Sequence, residues 1–248
     1  MTGVEIDFFS MGPGGGLAYL TRYAHVVFGV AWIGLLYYFN FVQVPAFAEM
    51  EAAARNNAID KLASRALWWF RWAAVATVVS GILILWAQEQ LSGGEYFKSP
   101  AGIAISTGIL LALTMFVNVW GIIWRNQKVV IANARNVQAG GEADPAAAGA
   151  GRRALLASRQ NAIYSLPMLA FMVGTSHFGA TGAADGGQRA LYWAITAVIW
   201  LVLELNALGV FGKDPGGTRK IYDTHKAAII TGVVYLVVQL GLYKYILA

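Results

Sequence analysis

The chain has 248 residues, 58% hydrophobic and only 12% charged, against roughly 25% charged in a soluble globular domain. That balance describes a polytopic membrane protein and excludes a nucleic-acid-binding module, because the formal charge of +5 is explained by orientation in a bilayer. With no cysteine, disulfides, thiolate metal sites, iron–sulfur clusters and a CxxCH haem attachment are excluded within these residues, and three histidines are left as strong nitrogen ligands.

Residues 1–17 carry acids where a signal peptide needs a basic region, so they read as a retained N-terminal tail. Allowing about 20 apolar residues per crossing, six spans follow, at about 18–45, 66–89, 101–124, 161–180, 189–211 and 224–247. The expected fold is therefore all-α, a single bundle of about six transmembrane helices over 18–248. In the first span, His25, Gly29, Trp32, Leu36 and Gln43 fall on one side at 100° per residue, a stripe that faces protein or a cofactor rather than lipid. Ala46 to Ser64 is alanine-rich and mixed in charge, which suits a short interfacial helix. The LWWFRW opening of span two reads as an interfacial tryptophan belt with Arg71 snorkelling, or as part of a substrate site. Span three holds Asn118 and continues in polar form to about Gln138, and 139–151 reads as a flexible linker. Span four contains Pro167 and ends near His177; span five carries Glu204 and Asn206; span six begins near His225 and displays Gly232 and Gln239 on one face.

Loop charge orients the bundle. Arg55, Lys61 and Arg65, then Arg125, Lys128, Arg135, Arg152, Arg153 and Arg159, then Lys213, Arg219, Lys220 and Lys226 lie in the odd loops, whereas the even loops hold only Lys98 and Arg189. The positive-inside rule makes the odd loops cytoplasmic and both termini periplasmic, in a bacterial inner membrane.

Sorted by depth, the embedded polar residues form two sets. The outer set is His25 and His177, with Gly29 and Trp32 on the His25 stripe and Met168, Met172 and Ser176 on span four. Two histidines from different helices beside glycine and aromatic residues suit a non-covalent b-type haem with His25 and His177 as iron ligands. They also suit part of a divalent metal site, or imidazoles satisfied by neighbouring helices. The inner set is Asn40, Gln43, Arg71, Asn118, Arg125, Glu204, Asn206 and His225, groups able to bind a planar polar ligand such as a purine or a quinone head, or to glue helices together. Glu204, Arg71 and Asn118 are the candidate catalytic residues, Glu204 as proton relay or general base.

The segments HVVFGVAWIGLLYYFNFVQVP, VNVWGIIWRNQK and SLPMLAFMVGTSHF resemble the membrane domain of the bacterial membrane-bound urate hydroxylases. That resemblance implies an integral membrane redox protein that oxidises urate or a similar purine. In that family a cytochrome c domain follows the last membrane helix; this sequence has no CxxCH, so the resemblance implies electron transfer to a separate cytochrome or another electron-transfer subunit. The alternative expectation is a non-catalytic transmembrane subunit of a larger respiratory or photosynthetic complex.

Overall fold

The computed structural model describes residues 7–92, 94–177, 185–212 and 216–247; residues 1–6 of the predicted tail and Lys213 of the fifth loop lie outside them. Among the described residues the chain is all-α, with six long helices: α1 (Gly16–Glu49), α2 (Ala52–Ala87), α3 (Pro100–Gln138), α4 (Ala146–Gly174), α5 (Gly186–Leu208) and α6 (His225–Leu247). All but α4 are long and apolar enough to cross a membrane. Lipid is the surrounding these helices demand, since α2, α5 and α6 expose Val79, Ile82, Val198, Val202, Val233 and Val237 on outward faces that water would not tolerate.

The helices start and stop on local chemistry. Ser99 accepts from the Gly102 amide at 3.1 Å with Pro100 in the first turn of α3, Asp185 and Gln188 form a capping box on α5, and the Thr224 hydroxyl accepts from the Ala227 amide on α6. Gly209 ends α5 in the left-handed region at φ 95, and the Arg219 guanidinium packs so closely that a side chain there would collide with it.

Several boundaries differ from the sequence reading. The predicted interfacial helix over Ala46–Ser64 is split: its first residues extend α1 and its last begin α2, with an extended Met50 between them. Helix α4 begins at Ala146, inside the stretch read as a flexible linker, and ends at Gly174 rather than near 180. Ala-rich sequence is good helix former, and its glycines do not outweigh that preference once α4 packs on its neighbours. Three of the long helices also contain a π-helical turn, at Tyr38–Gln43, Ile59–Ala63 and Val119–Ile123. Such turns concentrate at functional sites, and two of them carry or adjoin Asn40, Gln43 and Asn118.

Helix α4 is the middle of the bundle, packed against α1, α3, α5 and α6. Arg159, Gln160, Asn161 and Ser165 on it are all buried. That is why it is the least apolar long helix: its neighbours, not lipid, supply its surroundings, so it can carry amides and a guanidinium as long as they are bonded. Helices α1 and α2 pack along their length, with Trp32 and Leu36 meeting Phe70, Ala73 and Ala74 in the main core. At one end a second cluster joins Ile103, Phe171, Tyr192 and Tyr243, and there the Tyr243 hydroxyl donates to the Pro100 carbonyl and the Thr175 hydroxyl to that of Ala101, each at 2.8 Å. At the other end Arg152 pairs with Asp223 at 2.9 Å and Arg135 with Asp60, so the three cationic loops share one end of the bundle. In the loop before α3, the Lys98 ammonium beside Glu95 holds that carboxyl below its ordinary range.

Candidate functional site

The residues of the inner set do not all converge. Arg71 reaches across to Trp124, its guanidinium 3.8 Å from the ring centre, and lines a groove between α2 and α3. Arg125 is exposed. Asn40 donates to the Leu36 carbonyl and to the Ser158 hydroxyl, each at 2.8 Å, tying α1 to α4. Gln43 sits on the first π-turn, and His225 opens α6 with its ring 6.2 Å from that of Phe41. Asn206 bonds the chain that follows α5: its amide donates to the Thr218 carbonyl at 3.0 Å while its oxygen accepts from the Thr218 hydroxyl at 2.6 Å. Asn40 and Asn206 thus bridge elements of the bundle, as polar glue does, whereas the Gln43 Oε1 is buried without a hydrogen-bond partner.

Asn118 and Glu204 do come together. Asn118 is the residue before the third π-turn, 2% exposed, and its amide donates to the Asn161 oxygen at 3.0 Å; Asn161 in turn donates to the Met115 carbonyl at 2.9 Å. This reciprocal bridge locks α3 to α4. The Asn118 and Tyr164 side chains stand beside the Glu204 carboxyl, and the Tyr164 hydroxyl donates to the Trp200 carbonyl one turn earlier on α5 at 2.8 Å. Below them the Tyr222 hydroxyl donates to Gln160 at 2.6 Å, and Arg159 donates to the Tyr222 carbonyl. The carboxyl of Glu204 thus has side chains of α3 and α4 beside it, and its Oε2 is buried without a hydrogen-bond partner.

Glu204 lines a cavity of about 470 Å³ between α3, α4 and α5. Gly121 and Asn126 of α3, Arg152 and Arg153 of α4, and Arg219 complete its polar wall. Arg153 Nε donates to the Asn126 oxygen at 2.9 Å, Arg152 is paired with Asp223, and Arg219 Nε donates to the Asn206 carbonyl at 3.3 Å. These bonds help hold each guanidinium in place. The volume is within the roughly 300–1,000 Å³ of small-molecule sites, and the lining offers guanidinium donors beside one carboxyl group. The sequence signal for Glu204 and Asn118 is a polar residue inside an apolar run. Arg152, Arg153, Arg219, Asn126, Asn161 and Tyr164 escaped it because charges and amides near loops look like orientation signals until the loops are seen to fold over a cavity.

The outer set is arranged differently. The His25 stripe faces protein: His25 Nδ1 donates to the Thr77 carbonyl at 2.8 Å, its ring lies over Gly81, and Gly29 meets Thr77. Trp32 is 1% exposed in the core. Because a carbonyl only accepts, the Nδ1 proton is fixed and Nε2 is left with its lone pair, the tautomer a haem or metal ligand requires. His177 follows α4 in an exposed turn. Among the described residues no hydrogen bond or ring contact joins the two histidines, and no three His, Asp or Glu side chains gather as metal ligands. Nε2 of His25 is thus chemically able to serve as a ligand, but no bond among the described residues places a second ligand against it.

A family model described as urate oxidase N-terminal matches residues 93–239, more than half of the chain. No curated protein and no solved structure matches. The matched stretch holds the whole polar wall of the cavity and His177, but not α1 and α2 with His25, Gly29, Trp32 and Arg71.

Proposed function

The chain belongs to the urate oxidase N-terminal family, and on that premise we propose that the cavity between α3, α4 and α5 binds urate or a closely related purine anion at the start of its oxidation. The observation that carries this reading is a cavity lined by Glu204 together with Arg152, Arg153 and Arg219, all inside the matched residues. Urate is a planar anion at neutral pH, with carbonyl oxygens for the guanidiniums and ring N–H groups for the carboxylate. Burial of such a ligand strengthens both kinds of bond, because water no longer competes.

Hydroxylation of a carbon of the urate anion by water, giving a neutral hydroxylated product, releases a pair of electrons and one proton. Glu204 takes a proton from the ring N–H or from the attacking water, with Asn118 and Tyr164 beside its carboxyl. The arginines keep the anion in place while its charge redistributes. If a haem is bound, His25 would hold it through Nε2, with His177 as the expected second ligand, and the group would supply one-electron storage. Electrons released by the purine would pass to a cytochrome or another electron-transfer subunit.

The test is equilibrium binding of urate to the purified chain in detergent. Saturable binding that falls about tenfold or more in Arg153→Gln and in Glu204→Gln supports the reading, on the scale of one lost charge-assisted bond. Equal binding by all three proteins overturns it.

A further inference from the structure

We propose that the groove between α2 and α3 is a binding site for the phosphate headgroup of an anionic membrane phospholipid. The groove, about 450 Å³, is walled by Arg65, Trp68 and Arg71 of α2 and by Trp124, Lys128 and Arg135 of α3, and no acidic side chain lines it. The carboxylate nearest in function is Asp60, which is already shared between Lys61 and Arg135. Arg71 lies over the Trp124 ring and has a buried N–H without a hydrogen-bond partner, and Lys128 is exposed with no ion pair among the described residues. Positive charge at this end follows from orientation alone, but orientation does not require four cations and two indoles to wall one concavity.

Depth selects a lipid as the source of the phosphate. Trp68, Trp69 and Trp72 are 46%, 63% and 45% exposed on the same stretch of α2. Exposed indoles in a row mark the headgroup level of a bilayer, so the groove opens where phosphates lie and not in the aqueous loops. A guanidinium or ammonium at that level gains from an anionic headgroup, and a basic pocket between transmembrane helices is the geometry that captures one. The phosphate oxygens accept from Arg65, Lys128 and the unbonded N–H of Arg71, while the acyl chains run along Trp68 and Trp72. This site is separate from the Glu204 cavity, so its occupancy does not depend on the urate reading.

The test is native mass spectrometry and thermal unfolding of the full chain, delipidated in detergent and titrated with phosphatidylglycerol, phosphatidylcholine or glycerol phosphate. The expected result is one retained phosphatidylglycerol and a raised Tm, with no comparable effect of phosphatidylcholine. Arg65→Gln and Lys128→Gln are each expected to weaken that retention about fivefold, the scale of one basic residue at an anionic surface. Equal Tm of both variants and the parent without lipid shows that they fold. Equal retention of the two lipids, or unchanged affinity in both variants, overturns the proposal. Glycerol phosphate binding as tightly as the lipid also overturns it, because the site then takes a soluble phosphate.

Discussion

Removing the amide of Asn161 tests whether the polar residues of α4 hold the cavity together. Asn161 is fully buried; its oxygen accepts from Asn118 at 3.0 Å and its amide donates to the Met115 carbonyl at 2.9 Å. In Asn161→Ala the Asn118 amide loses its acceptor where no water replaces it, and a buried polar group left unpaired costs about 1–3 kcal/mol. Interhelical hydrogen bonds in membranes average about 0.6 kcal/mol and reach about 1.7 kcal/mol, because the unfolded chain also finds partners. The expected loss is therefore about 1–3 kcal/mol for Asn161→Ala and similar for Asn118→Ala. The double variant should lose about 1 kcal/mol less than the sum, since the second change no longer orphans a partner. Reversible unfolding in mixed micelles measures the cycle, and urate affinity is read on the same proteins. Asn118→Ala should weaken urate more than Asn161→Ala does, because Asn118 also stands beside Glu204. Single variants that add to within about 0.3 kcal/mol would refute a coupled bridge.

Other expectations rest on separate contacts. Pro167 leaves the Ile163 carbonyl without its usual amide donor, and Gly232 of α6 approaches so closely that a Cβ would lie 3.1 Å from that oxygen and 3.0 Å from Leu166 Cδ1. Gly232→Val should cost about 1–3 kcal/mol by overpacking, read as a lower Tm; an unchanged Tm contradicts the close approach. Gly209→Ala combines strain at positive φ, about 1–2 kcal/mol, with a Cβ 1.7 Å from an Arg219 nitrogen. The guanidinium must swing away, so urate affinity should fall along with stability, and loss of stability alone would remove Arg219 from the site. If His25 holds a haem, the purified protein shows a Soret band that His25→Ala abolishes while the helical circular dichroism persists; a colourless, folded parent protein isolated with its native companions sinks that part of the account.

Composition and apolar run length were enough to read an all-α membrane bundle, because lipid imposes long apolar helices and leaves few alternatives. The same rule misjudged α4. Its polar half, Arg159 to Asn161, looks like loop, but shielding by four other helices is a property of the fold and leaves no trace in a window of hydropathy. Glu204 and Asn118 were legible for the opposite reason: each is a polar residue inside an apolar run, which membranes do not permit without a partner or a task. Arg71 was equally conspicuous, yet it stacks on Trp124 in another groove, because depth in a helix says nothing about which neighbour a side chain will face. The three π-turns were invisible, since one added residue in a helical turn has no compositional mark.

The most direct measurement of the central claim uses the absence of cysteine from the sequence. Leu208→Cys puts a single thiol on the wall of the Glu204 cavity, and Ala132→Cys puts one in the groove between α2 and α3. Urate should slow modification of the first by a small thiol reagent, in a dose-dependent way, and leave the second unchanged. Equal modification rates with and without urate at Leu208→Cys, in protein that binds urate, would place the purine elsewhere.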